Sequence, residues 1–85
     1  MDDEYIRRQI DEMKIVLENV VLNSSKGKKI LELAKAYLND SEYFFKKGDF
    51  FRALEAASIS WAYIDAGLHL GVFSLDKKYR NMFTV

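Results

Sequence analysis

Asp65 stands four residues before His69, the one histidine of the chain. That spacing puts both side chains on one face of a helix, where a carboxylate can orient an imidazole for proton transfer. The nucleophile that would complete such a site is missing. There is no Cys, and Ser58, Ser60 and Ser74 fall in no activating pattern such as a nucleophile elbow. A hydrogen bond near a helix C-terminus, where the dipole favours a cation, explains the pair without catalysis. Asp40 adds a further acid, one residue before the apolar-face position Ser41, from which it could meet Asp65 or Arg52 across a helical hairpin. Asp40, Asp65 and His69, with Trp61, thus form a candidate polar inter-helix site for a small ligand or a nucleotide-metabolism accessory role.

Metal and phosphate chemistry find less support. One His with Asp40, Glu42 and Asp49 gives no zinc or di-iron spacing, and a Glu-x-x-His pair is absent, so neither a metal nor a cofactor is expected. Lys26, Lys28 and Lys29 flank one end of a helix and Lys46 and Lys47 the other, about 25–30 Å apart at 1.5 Å per residue, too far for one phosphate site. Gly27 between lysines is a turn and not a phosphate loop. The most distinctive group is aromatic: Tyr43, Phe44, Phe45, Phe50 and Phe51 surround Gly48. Neighbours on a helix point about 100° apart, so Phe44 with Phe45, and Phe50 with Phe51, cannot both face one core. Tyr43, Phe45 and Phe51 are the expected partner-binding residues, with a homodimer through the hairpin ends as the simplest form, unless the first helix and the C-terminal tail cover them.

Three helices must position these groups. Ile6, Ile10, Met13, Leu17 and Val20 recur at alternating steps of four and three, and Asp2 or Asp3 can cap the helix they define, about residues 3–22. The polar run at 23–29 is a turn in which Ser24 or Ser25 can cap the next helix, about 26–47. On it Ile30, Leu33, Ala34, Tyr37, Leu38, Ser41 and Phe44 form the apolar face. Lys46-Lys47-Gly48 stops that helix and Asp49 caps the third, about 50–70, so the two must be antiparallel neighbours. The third carries Phe50, Leu54, Ala57, Trp61, Ile64 and Leu68 on one stripe, which makes Trp61 a core residue. A second row of Ala53, Ala56, Ser60, Tyr63 and Gly67 allows a close helix approach. Gly71 ends it, and residues 72–85 read as an extended tail with one helical turn begun by Ser74 or Asp76.

The expected fold is therefore all-α: a three-helix bundle built on an antiparallel hairpin, in one domain spanning 1–85. Eighty-five residues, 49% hydrophobic and 31% charged, hold no second domain, and the 14% aromatic content can supply a dense core in so short a chain. Thirteen basic residues balance thirteen acidic ones, so no net field recruits nucleic acid or an anionic membrane. No apolar run approaches the roughly 20 residues of a membrane span. The acidic start is unlike a signal peptide, and with the lack of Cys it points to the cytoplasm.

Two resemblances follow from particular residues. Phe44-Phe45-Lys46-Lys47-Gly48-Asp49-Phe50-Phe51-Arg52-Ala53-Leu54-Glu55 looks like the turn of a tetratricopeptide hairpin, but the positions 34 residues away are Lys14 and Met82, so no repeat array is implied. Leu33-Ala34-Lys35-Ala36-Tyr37, Asp40, Tyr43-Phe44, Lys47-Gly48-Asp49, Arg52-Ala53, Ala57, Asp65-Ala66-Gly67 and Leu70-Gly71-Val72-Phe73 together resemble the archaeal family catalogued as domain of unknown function 357. The likeness spans residues 31–73 and reaches the terminal Met82-Phe83-Thr84-Val85. It implies a small all-helical archaeal protein with no assigned activity. The functional expectation is a non-enzymatic interaction or oligomerisation module, whose partner is another protein or a second copy. The alternative is the small-ligand site at Asp40, Asp65 and His69.

Overall fold

The computed structural model describes residues 3–83; Asp2, one of the two expected caps, and Thr84-Val85 lie outside them. The chain runs α1 (Asp3–Asn19), β1 (Val21–Leu22), a single 3-10 turn (Ser25–Gly27), α2 (Lys28–Lys46), α3 (Phe50–His69), β2 (Phe73–Ser74) and α4 (Lys77–Arg80). The architecture is all-α, with three long helices and one two-stranded ribbon.

The α2–α3 hairpin is set by its turn. Gly48 adopts φ +78°, and Gly48 N–H donates to the Phe45 carbonyl (3.0 Å) while Asp49 N–H donates to the Phe44 carbonyl (2.9 Å). This pair of bonds is the Schellman closure that needs a left-handed residue at the position after the cap. The Asp49 carboxylate then accepts from Arg52 N–H at 3.2 Å and starts α3. A Cβ at Gly48 would meet nothing within 4 Å, so the demand there is purely conformational. Gly48→Val should cost about 1–2 kcal/mol, and Gly48→Asn, which tolerates this conformation, should cost less. Equal thermal midpoints for the two variants would contradict that assignment.

The seam between α2 and α3 is made of small side chains. Ala34 and Ser41 of α2 and Ala53, Ala56, Ala57 and Ser60 of α3 are buried in it; of the second row expected on the third helix, Tyr63 is only half-buried and Gly67 is buried against Phe73 instead. Backbones this close bring hydroxyls within reach of the opposite main chain. Ser41 Oγ donates to the Ala53 carbonyl (2.6 Å) and Ser60 Oγ to the Ala34 carbonyl (2.7 Å). These two bonds fix the antiparallel register, with residue 41 level with 53 and residue 34 level with 60.

Helix α1 lies across one face of the hairpin, burying Ile6, Ile10, Met13 and Val16. Leu17 and Val20, expected in that core, are half-buried at its edge: the buried stripe runs through Val16 in place of Leu17, and Val20 lies past the end of α1, which falls three residues short of the boundary at 22. Asn19 Nδ2 caps the Ile15 carbonyl at 2.7 Å, and Val21 and Leu22 instead pair antiparallel with Ser74 and Phe73. Asn23 fastens the same junction, its N–H donating to the Val72 carbonyl at 2.8 Å. Ser24 caps the 3-10 turn through Lys26 N–H (3.2 Å) and not α2 itself, whose N-cap is Gly27. The C-terminal segment runs extended through β2 and then makes the one helical turn expected, begun by Asp76. After β2, Leu75 is buried, Asp76 caps α4, and Phe83 is buried with its ring 4.7 Å from that of Trp61. With α1 packed on both hairpin helices and β2 on α3, the Cα extents are 37 × 24 × 18 Å.

Candidate functional site

The aromatic trio at the hairpin tip is not brought together. Tyr43 and Phe51 are 58% and 66% exposed, but each lies two residues, about 200° of helix, from a seam residue (Ser41 and Ala53). They project from opposite edges of the hairpin. Phe45 faces neither way: it is half-buried beneath α1, with the Arg7 guanidinium 4.8 Å from its ring centroid and Phe50 at 5.3 Å. So α1 covers part of the cluster, while the tail's Phe83 covers Trp61.

The polar trio is likewise divided. His69 Nε2 lies 3.6 Å from Asp65 Oδ1, as the four-residue spacing predicts. Asp40 is exposed and level with residue 54, whereas Asp65 is level with residue 29, about 16 Å away along the hairpin. The antiparallel register separates them. Among the described residues, no group of three His, Cys, Asp or Glu side chains is placed to hold a metal ion, and no helix is long and apolar enough to cross a membrane.

The strongest electrostatic feature is Glu42. It accepts from both guanidinium nitrogens of Arg7 (3.1 and 3.2 Å) and pairs with Lys14, so two α1 cations converge on one α2 carboxylate whose side chain is 17% exposed. The hydrogen bonds from Arg7, followed by those from Lys14, outweigh desolvation and hold the Glu42 pKa down at about 2; Arg7 is raised, mainly by the same bond. Every member of this cluster is satisfied, which marks it as a clamp between α1 and α2 and not as chemistry awaiting a substrate. Because the folded pKa lies below the ordinary 4.5, the stabilisation is present above about pH 5 and is lost as pH falls toward 2. Glu42→Gln should therefore cost about 1–2 kcal/mol at pH 7 and almost nothing near pH 2. Parallel stability–pH curves for the two proteins would contradict this.

Two surfaces remain. Between α1 and α3 lies a cleft of about 280 Å³ lined by Tyr5, Gln9, Met13, Leu54, Ala57, Ser58 and Trp61. Trp61 is consequently half-buried and not the enclosed core residue its stripe suggests, because α3 turns its small row to α2 and its larger residues toward α1.

The other surface is the face of the hairpin turned away from α1. The apolar face of α2, read as one stripe, is two. Ala34, Leu38 and Ser41 are buried in the core, while Ile30, Leu33, Tyr37 and Phe44 form a second, half-buried row. Asp40 completes that row at alternating steps of three and four. α3 matches it with Arg52, Ala56, Ile59, Tyr63, Ala66 and Leu70 at steps of four and three. The Tyr37 and Tyr63 rings stack across the two rows at 5.8 Å and 23°, and Arg52 lies 5.8 Å from the Phe44 ring. Leu33, Tyr37 and Ile59 stand outside the core cluster, and Ile59, Ala62, Tyr63 and Ala66 line a shallow depression. The width of the α2 apolar face, more than one neighbour can cover, is the signal in the sequence that points to this surface.

Comparison with known proteins agrees with the fold. The model of a family described as "Protein of unknown function (DUF357)" matches residues 4–73. The crystal structure of protein AF1782 from Archaeoglobus fulgidus, assigned to the same family, is similar at a TM-score of 0.77 and 23% identity, covering 87% of this chain and 92% of that one. No curated protein matches the chain.

Proposed function

Starting from the premise that this chain belongs to the DUF357 family, we propose that it is a non-enzymatic helical interaction module whose docking surface is the outer face of the α2–α3 hairpin. One observation carries the reading: both hairpin helices bear a second apolar row at helical spacing, bridged by the Tyr37–Tyr63 stack, and Leu33, Tyr37 and Ile59 of these rows stand outside the core cluster. Apolar surface arranged in this way is what a partner helix buries. The balanced charge favours a protein partner over nucleic acid, and the lack of Cys suits a cytoplasmic setting. The test is recovery of bound protein from native cells with the wild type and with Tyr63→Glu, a half-buried position whose variant should keep its helical circular dichroism. Bound protein lost in the variant supports the face; bound protein retained in full excludes it.

The exposed flank of Trp61 in the α1–α3 cleft favours a second reading, a small-ligand site for a planar aromatic group, whose lining does not include Asp40, Asp65 or His69. The cleft falls just under the size range of common ligand sites. Titration with indole and with adenosine, followed by Trp61 fluorescence, tests it. Saturable quenching abolished by Met13→Trp supports the site, and a flat response removes it.

A further inference from the structure

Resting on the reading that the outer hairpin face is a docking surface, we propose that its occupant is a second copy of this chain, related by a two-fold axis that runs parallel to the hairpin. Such an axis leaves height along the helices unchanged and exchanges left with right. Each α2 then lies against the second copy's α3 at the same level, and the two directions oppose. The four central helices alternate up and down around the bundle, so every neighbouring pair of helix dipoles is antiparallel.

The charges within the two rows select this arrangement. Each row is apolar apart from one charge near the turn, Asp40 on α2 and Arg52 on α3. Within the protomer both remain exposed, and Arg52 makes only surface contacts, to Asp49 and to the Phe44 ring. Asp40 is exposed and has no partner among the described residues, and Arg52, whose side chain is 64% exposed, reaches Asp49 only at 3.6 Å. The register set by the Ser41–Ala53 and Ser60–Ala34 bonds places Asp40 level with residue 54, about 3 Å of helix rise from Arg52. Under the parallel two-fold, Asp40 of each protomer therefore faces Arg52 of the other. Symmetry makes two such pairs, flanking a centre of Leu33, Tyr37, Ile59 and Tyr63. An aromatic and aliphatic centre with charge pairs at its margin is the composition of a protein interface, and a face that is self-complementary under a two-fold is what an isologous dimer requires.

Sedimentation equilibrium between 1 and 200 µM tests this, using the native protein, Asp40→Arg, Arg52→Asp and the double reversal. The native protein should sediment at twice the 9.9 kDa protomer mass. Each single reversal juxtaposes like charges twice and should weaken association at least about tenfold, while the double reversal should restore it to within about threefold. Both substituted positions are exposed, and unchanged thermal midpoints confirm that folding is unaffected. A native monomer at 200 µM overturns the proposal, as does a dimer indifferent to both single reversals. A dimer broken by Phe51→Glu and untouched by Tyr63→Glu also overturns it, by moving the contact to the hairpin tip. Failure here is distinct from failure of the docking face: a monomer that loses its native-cell partner on Tyr63→Glu keeps the face and excludes the second copy.

Discussion

Phe73→Ala should lower stability by about 3–5 kcal/mol, a large fraction of what a domain of this size possesses. Phe73 is 2% exposed, and its backbone is held by pairing with Leu22, so the site has little freedom to collapse around the lost ring. The ring lies against Gly67, where an added Cβ would overlap it. In an open helix Gly→Ala gains about 1 kcal/mol. At Gly67 the sign should reverse, with a net loss of about 1–3 kcal/mol from overpacking. In a Phe73→Leu background the penalty of Gly67→Ala should shrink, since the two positions share one space. Urea midpoints at constant m-value give each term; Gly67→Ala more stable than wild type would show that the contact is absent.

Ser60→Leu should destabilise by about 3 kcal/mol or more. Ser60 is fully buried and donates to the Ala34 carbonyl at 2.7 Å, in a seam where its neighbours Ala53, Ala56 and Ala57 leave no room for a branched chain. A larger residue must either push α2 and α3 apart or leave its rotamer well. Ser60→Ala, which removes only the hydroxyl and leaves the carbonyl its helical partner, should cost about 1 kcal/mol. If the Leu variant were as stable as the Ala variant, close approach of the two helices would not be what holds the hairpin.

The elements most readable from the sequence are those governed by local rules. The hairpin turn follows from Lys46-Lys47-Gly48-Asp49, and the close α2–α3 approach follows from a row of Ala and Ser recurring at helical steps. What the sequence hides is non-local. The ribbon between residues 21–22 and 73–74 joins segments some fifty positions apart through two residues each, too short to show a strand period. It ends α1 early and leaves Val20 beyond the helix, at the edge of the core. Trp61 shares its stripe with Ile64, yet α3 meets two neighbours at different angles, so one residue is enclosed and the other opens onto a cleft. The tip aromatics can be shown not to share a core from their 100° offsets, but only the position of α1 decides that Phe45 is the covered one. The distances from the turn at Gly48, eight residues for Asp40 and seventeen for Asp65, already separate the two acids along the hairpin, and the two buried hydroxyls fix the register that makes the separation about 16 Å.

With no Cys in the chain, one introduced thiol reports alone, and its alkylation rate tests the self-docking hairpin face most directly. Ala62→Cys puts the thiol on the outer depression and Glu18→Cys puts a control on exposed α1. Between 1 and 200 µM protein, Cys at position 62 should become several-fold slower to alkylate while the position 18 control is unchanged, because burial at an interface excludes the reagent. Rates at position 62 that do not vary with protein concentration would contradict the account.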